Sequence, residues 1–352
     1  MSREIYISTF ANFGIQVRFR DVAHDDWDYV HRHLASQSVM ESDFNISYQK
    51  SYYANFSQDD LSIVFYKKNG EPCGITPVLL REVENQRFLG LPSTAGFSLE
   101  PIQFVKNLSS TECKRISKSF LKSLKSYTSL QNIDEFKCHA YSEKMTDSIN
   151  GWHSSCAELA DSMSVNYEAY VNLTHDLDSI RVGFRKSYKP LINRANRIWS
   201  SRILGSDEIC ESDWDEFKLL HFKAAGNQKT RSDDSWNLQF LQIMKKNAFF
   251  IALYDDDGKM VGGGLFSHTR DQGVYSVGAY DRSQFDKPLG HLVQWLAIKE
   301  LKRLGVKSYL IGDRRYLSEI PKPTEKEFNI GLFKEGFCTA IRPRFVFHFS
   351  TI

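Results

Sequence analysis

Val277-Gly278-Ala279-Tyr280-Asp281-Arg282-Ser283-Gln284-Phe285-Asp286-Lys287-Pro288-Leu289-Gly290-His291 is the stretch whose reading decides the fold. Residues 274–280 alternate as a strand does, 281–287 form a polar loop, and Pro288 opens a helix that runs to 304. Proline suits that place because its φ is already helical and its missing N–H has no partner to lose in a first turn. A helix start presents unpaired N–H groups and a partial positive charge, so a strand-loop-helix passage of this kind can hold a phosphate or polarise an acyl carbonyl. The same residues also suit an ordinary β-to-α turn with no ligand.

Working outward, residues 248–254 and 259–268 flank the turn Asp255-Asp256-Asp257-Gly258, and Gln272-Gly273 leads into the next strand, giving three adjacent antiparallel strands. Residues 308–311 follow as a further strand. Upstream lie a basic helix over 181–199 and helices over 213–225 and 234–247. The first half carries a fainter version of the same order. A strand over 14–20 is followed by a helix over 25–35. An Asn69-Gly70 hairpin joins 61–67 to 73–83, a helix covers 109–127, a strand 136–140, and a helix begins near 143 and ends at 156. The pattern restarts with a long strand over 163–173. The expected fold class is α/β (α+β): two tandem domains, 1–160 and 161–352, each a mixed, mostly antiparallel sheet flanked by helices. A chain of 352 residues exceeds the usual size of a single core, in keeping with that division.

Lys plus Arg number 45 against 43 Asp plus Glu, so the molecule as a whole is no electrostatic surface for DNA and any anion site must be local. The N-terminal residues lack the charged-then-apolar order of a secretory signal, and no run approaches the length of a membrane span, so a cytoplasmic location is expected. Cys73, Cys113, Cys138, Cys156, Cys210 and Cys338 show no metal-ligand or disulfide spacing, and His31 and His33 in a polar helix suit a solvated face. No metal and no bound cofactor are expected.

Two further segments carry chemistry. Residues 181–197 are dense in fixed positive charge, with Arg181, Arg185, Lys186, Lys189, Arg194 and Arg197 among aromatic and apolar residues. They suit a solvated face, an RNA-contacting surface or a phosphate clamp, and charge alone does not choose. Near the C-terminus, Phe333-Lys334-Glu335-Gly336-Phe337 reads most simply as a helix end, with Gly336 as a left-handed cap and Lys334 favourable to the helix dipole.

Taken together, Phe184-Arg185-Lys186, Val261-Gly262-Gly263-Gly264, Trp295-Leu296-Ala297, Ile311-Gly312-Asp313 and Phe333-Lys334-Glu335-Gly336-Phe337 resemble, in order and spacing, the C-terminal half of FemAB-superfamily proteins. The resemblance covers residues 180–345; the first half is matched only by expected fold. It implies a pair of GNAT-like domains that transfer an acyl or aminoacyl group to an amine on an envelope precursor or activated sugar. Acyl-CoA is then the expected co-substrate, with aminoacyl-tRNA as the alternative donor. The chain shows no stretch of charged heptads to form the long helical arm common in tRNA-dependent members. A reading from another class is an inactive module that binds a glycan or a partner.

On the resemblance, Lys334 lines the active channel as a fixed positive charge facing the oxyanion. His291 and Asp313 are the candidate bases. Tyr280, Lys287, Leu289 and Gly290 would meet the donor. Lys287 and Gly290 fit part of the GNAT pyrophosphate signature, while Leu292 stands where that signature has a small residue. Acceptor phosphates or carboxylates would be held by Arg185, Lys186, Arg194 and Arg231, with Tyr275 and Trp236 lining the acceptor site. Trp236 follows a polar stretch, 230–234, suited to a mobile lid, whereas Trp295 suits the core.

Overall fold

Gly70, at φ +85°, makes the tight turn that Asn69-Gly70 encodes, and it joins antiparallel Ile63–Tyr66 to Pro72–Thr76. Similar local signals build the rest of the computed structural model, which describes residues 2–53, 56–93, 96–141 and 150–351. It divides into unit 1, Met1–Asn166 with Arg342–Ile352, and unit 2, Tyr167–Ile341. The sequence placed the boundary at 160 and kept the C-terminal residues with the second half.

Unit 1 runs α1 (Ser2–Asn12), β1 (Gln16–Phe19), α2 (His24–His33), α3 (Asp43–Tyr52), β2 (Ser57–Asp60), β3 (Ile63–Tyr66), β4 (Pro72–Thr76), β5 (Leu79–Val83), β6 (Gln86–Leu89), β7 (Leu91–Ser93), β8 (Gly96–Ser98), β9 (Gln103–Phe104), α4 (Ser110–Leu130), β10 (Glu135–Tyr141) and α5 (Gly151–Leu159). The single strand expected over 73–83 is two strands in different sheets. β4 pairs with β3 and β9, while β5 pairs with β2 and β6. Pro77, which cannot donate to a ladder, stands between them. Helices α1 and α3 were not expected. Most of the start of the helix expected over 143–156 lies outside the described residues, and α5 begins at Gly151 with Asn150 capping it. The core gathers Tyr6, Phe10, Phe65, Phe120, Tyr127 and Trp152 beneath α4.

The next strand, β11 (Ser162–Asn172), crosses from one unit's residues to the other's. Unit 2 continues with α6 (Leu177–Val182), α7 (Tyr188–Ile198), β12 (Ser200–Leu204), α8 (Glu211–Ala224), α9 (Asp233–Met244), β13 (Ala248–Tyr254), β14 (Met260–His268), β15 (Gln272–Tyr280), α10 (Gly290–Arg303), β16 (Ser308–Asp313) and α11 (Glu325–Glu335), before β17 (Ala340–Ser350). The basic helix expected over 181–199 is two helices. The link between them bonds elsewhere: the Arg185 N–H donates to the Gly336 carbonyl.

In unit 2, β12, β13, β14 and β15 form an antiparallel meander, β16 pairs parallel with β15, and β11 pairs antiparallel with β16. Alternate residues feed two cores. Phe249, Ile251, Leu253 and Phe266 face α7 and α10, while Phe250, Ala252 and Leu265 face the cluster of Trp214, Phe217 and Trp236 on α8 and α9. In unit 1 the corresponding last pairing is β10 with β17, also antiparallel.

Candidate functional site

The parallel pairing of β15 with β16 covers only Gln272–Val274 against Ser308–Leu310. Beyond it β15 runs on to Tyr280 and β16 to Asp313 with no further pairing between them, so the two strands part. Ser276 adds to the divergence as the extra residue of a bulge, because Leu265 pairs with Val277 and Phe266 with Tyr275. Residues 274–278 are partly exposed, although they lie on an inner strand of the sheet.

Helix α10 starts at this divergence. Its N-cap is Leu289, whose side chain offers no acceptor, and no acidic residue stands in the first turn. The N–H groups of Gly290 and His291 take no acceptor among the described residues. A side chain on Gly290 would meet the Phe333 ring at 3.0 Å and the Tyr280 hydroxyl at 3.5 Å, so the backbone here is closely enclosed. Tyr275 lies along its own strand over Gly278, which has no Cβ to obstruct it, and its hydroxyl stands 3.0 Å from that of Tyr280. Burial pushes the Tyr275 phenol up to about 12 and that of Tyr280 well above its ordinary value, so both stay protonated at neutral pH.

Lys334 reaches the same divergence from α11. Its ammonium occupies the space where a Cβ on Gly312 would lie, and Gly312 is held at φ +135°, a conformation that favours glycine. Burial lowers the Lys334 pKa against the opposing pull of Asp313 at the end of β16. Among the described residues its Nζ takes no hydrogen bond and no ion pair. Two other partly buried lysines are tied: Lys302 donates to the Leu173 carbonyl and Lys287 to the Gln284 side chain.

The turn carrying Lys334 is fixed from α7 and the link before it. Arg185 donates to the Leu332 carbonyl at 2.9 Å, and the Tyr188 hydroxyl donates to the Phe333 carbonyl at 3.1 Å. The Tyr188 ring fills the space that a Cβ on Gly336 would need. Gly336 is therefore not the left-handed cap its sequence suggests: it is right-handed, at φ −64°, and glycine is required there by the neighbouring ring. Tyr188 escaped the sequence reading, since its partner lies more than a hundred residues away and no local pattern marks it.

His291 packs edge-on to Tyr188 and Phe333 and at a tilt to Phe337. Burial, with the Arg185 charge adding to it, lowers its pKa to about 4. It is a neutral ring at physiological pH and does not ionise between 5 and 8. Leu289 is buried beside Tyr280, both lying near the position of a Cβ on Gly262, and Lys287 lies over the Trp199 ring at 5.3 Å.

The structure thus gathers Lys334, Asp313, Gly290, His291, Tyr275, Tyr280 and Arg185 at one end of unit 2. Lys186 and Arg194 stay exposed. Arg231 and Trp236 belong elsewhere, packed on each other with the guanidinium 3.2 Å from the ring centroid, over the face opposite α10. The Trp236 ring is packed rather than open to a ligand: Trp214, Phe217 and His221 surround it and it is 7% exposed. Trp295 is half-buried on α10 against Phe184, with Arg181 over its face.

No family model and no curated protein matches this sequence. Solved structures do. FemX superposes with a TM-score of 0.65 at 11% identity, over 94% of this chain and 96% of that one. L-PGS from Bacillus licheniformis gives 0.56 at 10% identity, over 93% and 91%. A tandem GNAT protein from the clavulanic acid biosynthesis pathway gives 0.50 at 11% identity, over 96% and 99%. These likenesses run the length of both chains, and with the strand order and the parting of β15 from β16 they establish that the chain has the tandem GNAT-like, Fem-type fold.

Proposed function

We propose that the chain is an N-acyltransferase whose unit 2 moves an acyl group from an activated donor of the acyl-CoA type to an amine on an amino sugar or cell-envelope precursor. One observation carries the reading: an unbonded lysine of lowered pKa stands at the strand divergence where an uncapped helix begins. An acyl thioester placed there has its anionic portion at the free N–H groups of Gly290 and His291. Its carbonyl oxygen faces Lys334, whose fixed charge stabilises the oxyanion in a site poor in water. The attacking amine gives its proton to Asp313, and the Tyr280 hydroxyl, kept protonated by burial, donates to the departing thiolate. Arg185 and Tyr188 position the lysine; Lys186 and Arg194 remain open to an anionic group on a substrate.

Labelled acetyl-CoA with a panel of amino sugars tests the reading. Lys334→Met is expected to lower kcat on the order of 10²–10³-fold, the usual cost of removing one oxyanion donor. A folded Lys334→Met protein with full turnover would overturn the assignment. The sign of the pH dependence follows from the lowered pKa. The charged form is the catalyst, so activity falls as pH rises through a value below the 10.5 of an ordinary lysine.

The exposed basic run around Lys186 and Arg194 favours one second reading, in which the donor is an aminoacyl-tRNA. Labelled aminoacyl-tRNA in the same assay separates the two, because only a polyanionic donor loses affinity steeply with added salt.

A further inference from the structure

Lys334 is not only a charge. We propose that in the absence of an acceptor amine Lys334 is itself acylated by the donor, so that the protein carries its own modification site at the end of β16. This rests on the acyl-thioester reading of unit 2.

The geometry sets Lys334 apart from the other lysines of unit 2. Its Nζ lies against the Gly312 backbone at the strand divergence, takes no hydrogen bond or ion pair among the described residues, and belongs to a side chain that is neither sealed nor fully exposed. Lys302 and Lys287 are bonded, and Lys229 pairs with Asp233 on the surface. A lysine bonded through its ammonium must break that contact before it attacks; Lys334 has none to break. Phe333, the residue before it, packs against Gly290, which brings this turn of α11 to the start of α10 where the donor would dock. Arg185 and Tyr188 hold that turn from the other side. Burial lowers the Lys334 pKa, which raises the fraction of neutral, nucleophilic amine at a given pH above that of a free lysine.

The step balances without an added reagent. The neutral amine attacks the thioester carbonyl, the C–N bond forms and the C–S bond breaks. The nitrogen gives up one proton through the Asp313 carboxylate to the departing thiolate. The products are an amide on Lys334 and a free thiol. Acylation removes the charge that the transfer reaction uses, so a protein supplied with donor and deprived of acceptor turns itself off.

The wild-type chain is incubated near neutral pH with acetyl-CoA, and separately with S-acetyl-N-acetylcysteamine, a thioester with no nucleotide. Site-resolved mass spectrometry then follows each lysine. The expected result is acetylation of Lys334 at an initial rate at least about tenfold above that of exposed Lys229, and slower labelling of Lys334 in Asp313→Asn. Labelling of Lys334 no faster than of Lys229 with both thioesters overturns the inference. A parallel assay of transfer to amino sugars keeps the two readings apart. Transfer without Lys334 labelling leaves the transferase standing and removes self-acylation. Lys334 labelling without transfer to any amine supports self-acylation and removes the amino-sugar reading.

Discussion

In unit 1 the parallel contact to β10 is a single bridge, Leu99 with Cys138, and the residues that follow close it. The Glu100 carboxylate, 7% exposed, accepts from the Tyr141 hydroxyl at 2.7 Å and lies 2.8 Å from His139 Nδ1, so the end of β10 is tied to the segment that follows Leu99. In unit 2 the parallel contact is three residues long, and beyond it stand Gly312, a lysine without a partner and two tyrosines. The helices that follow differ in the same sense. The Ser109 side chain accepts the Glu112 N–H at the start of α4, and Glu112 itself sits in the first turn, whereas α10 starts bare. One fold thus appears twice, with its helix start capped by a side chain in unit 1 and uncapped in unit 2. Fold alone does not distinguish the two; the side chains at three positions do.

The largest effect expected from this contrast is one of stability. Glu41 is buried in unit 1, and burial first, then the charge of Glu100, raises its pKa from 4.5 to about 7. In the unfolded chain the group ionises near 4.5, so between there and about 7 the folded state alone keeps the proton. Stability therefore falls as pH rises across that window and levels off above it. Glu41→Gln removes the dependence, and the wild type should lose up to about 3 kcal/mol against the variant between pH 4.5 and 7 in urea titrations. A pH-independent difference would show that the group is ionised throughout and that the polar cluster of unit 1 is looser than its geometry indicates.

Next in size is an exchange of strand ends. Unit 1 ends β10 with His139-Ala140-Tyr141, and unit 2 ends β16 with Ile311-Gly312-Asp313. Gly312→Ala gives unit 2 the small residue of unit 1 at a site where Lys334 already fills the space. Displacing the ammonium by about 1 Å should cost on the order of 10²-fold in kcat with little change in donor affinity. Equal losses in kcat and affinity would mean that Gly312 serves the donor's docking rather than the lysine's placement.

What the sequence disclosed follows the range of the interactions. The meander, the Asn69-Gly70 turn and α10 were legible because alternation, a turn dipeptide and helical periodicity are local, although α10 begins at Gly290 and not at Pro288. The break between β4 and β5 and the split of the basic helix were not. Pro77 is visible in the sequence, but the choice of separate sheets is tertiary, and the Arg185 backbone leaves its helix to meet Gly336. Lys334, Asp313 and Gly290 were reached through resemblance rather than physics; the space at Gly312 and the Tyr188 anchor needed coordinates. Trp236 looked like a ligand platform only because nothing in the chain shows that Trp214 and Phe217 pack around it.

The smallest expected effect is the most selective. Ser109→Ala removes the cap of α4 and should lower stability by about 1 kcal/mol, since one orphan N–H loses its acceptor. It should leave acetyl-CoA affinity unchanged, because the Glu112 carboxylate, paired with Arg115, still occupies that helix start whether or not the serine is present. Were the mutation to create or strengthen acetyl-CoA binding, the serine cap would be the only bar to a second donor site, and unit 1 would be a closed copy of unit 2 rather than a differently built one. Isothermal titration of the wild type and Ser109→Ala separates these outcomes, since a second donor site raises the number of acetyl-CoA molecules bound per chain.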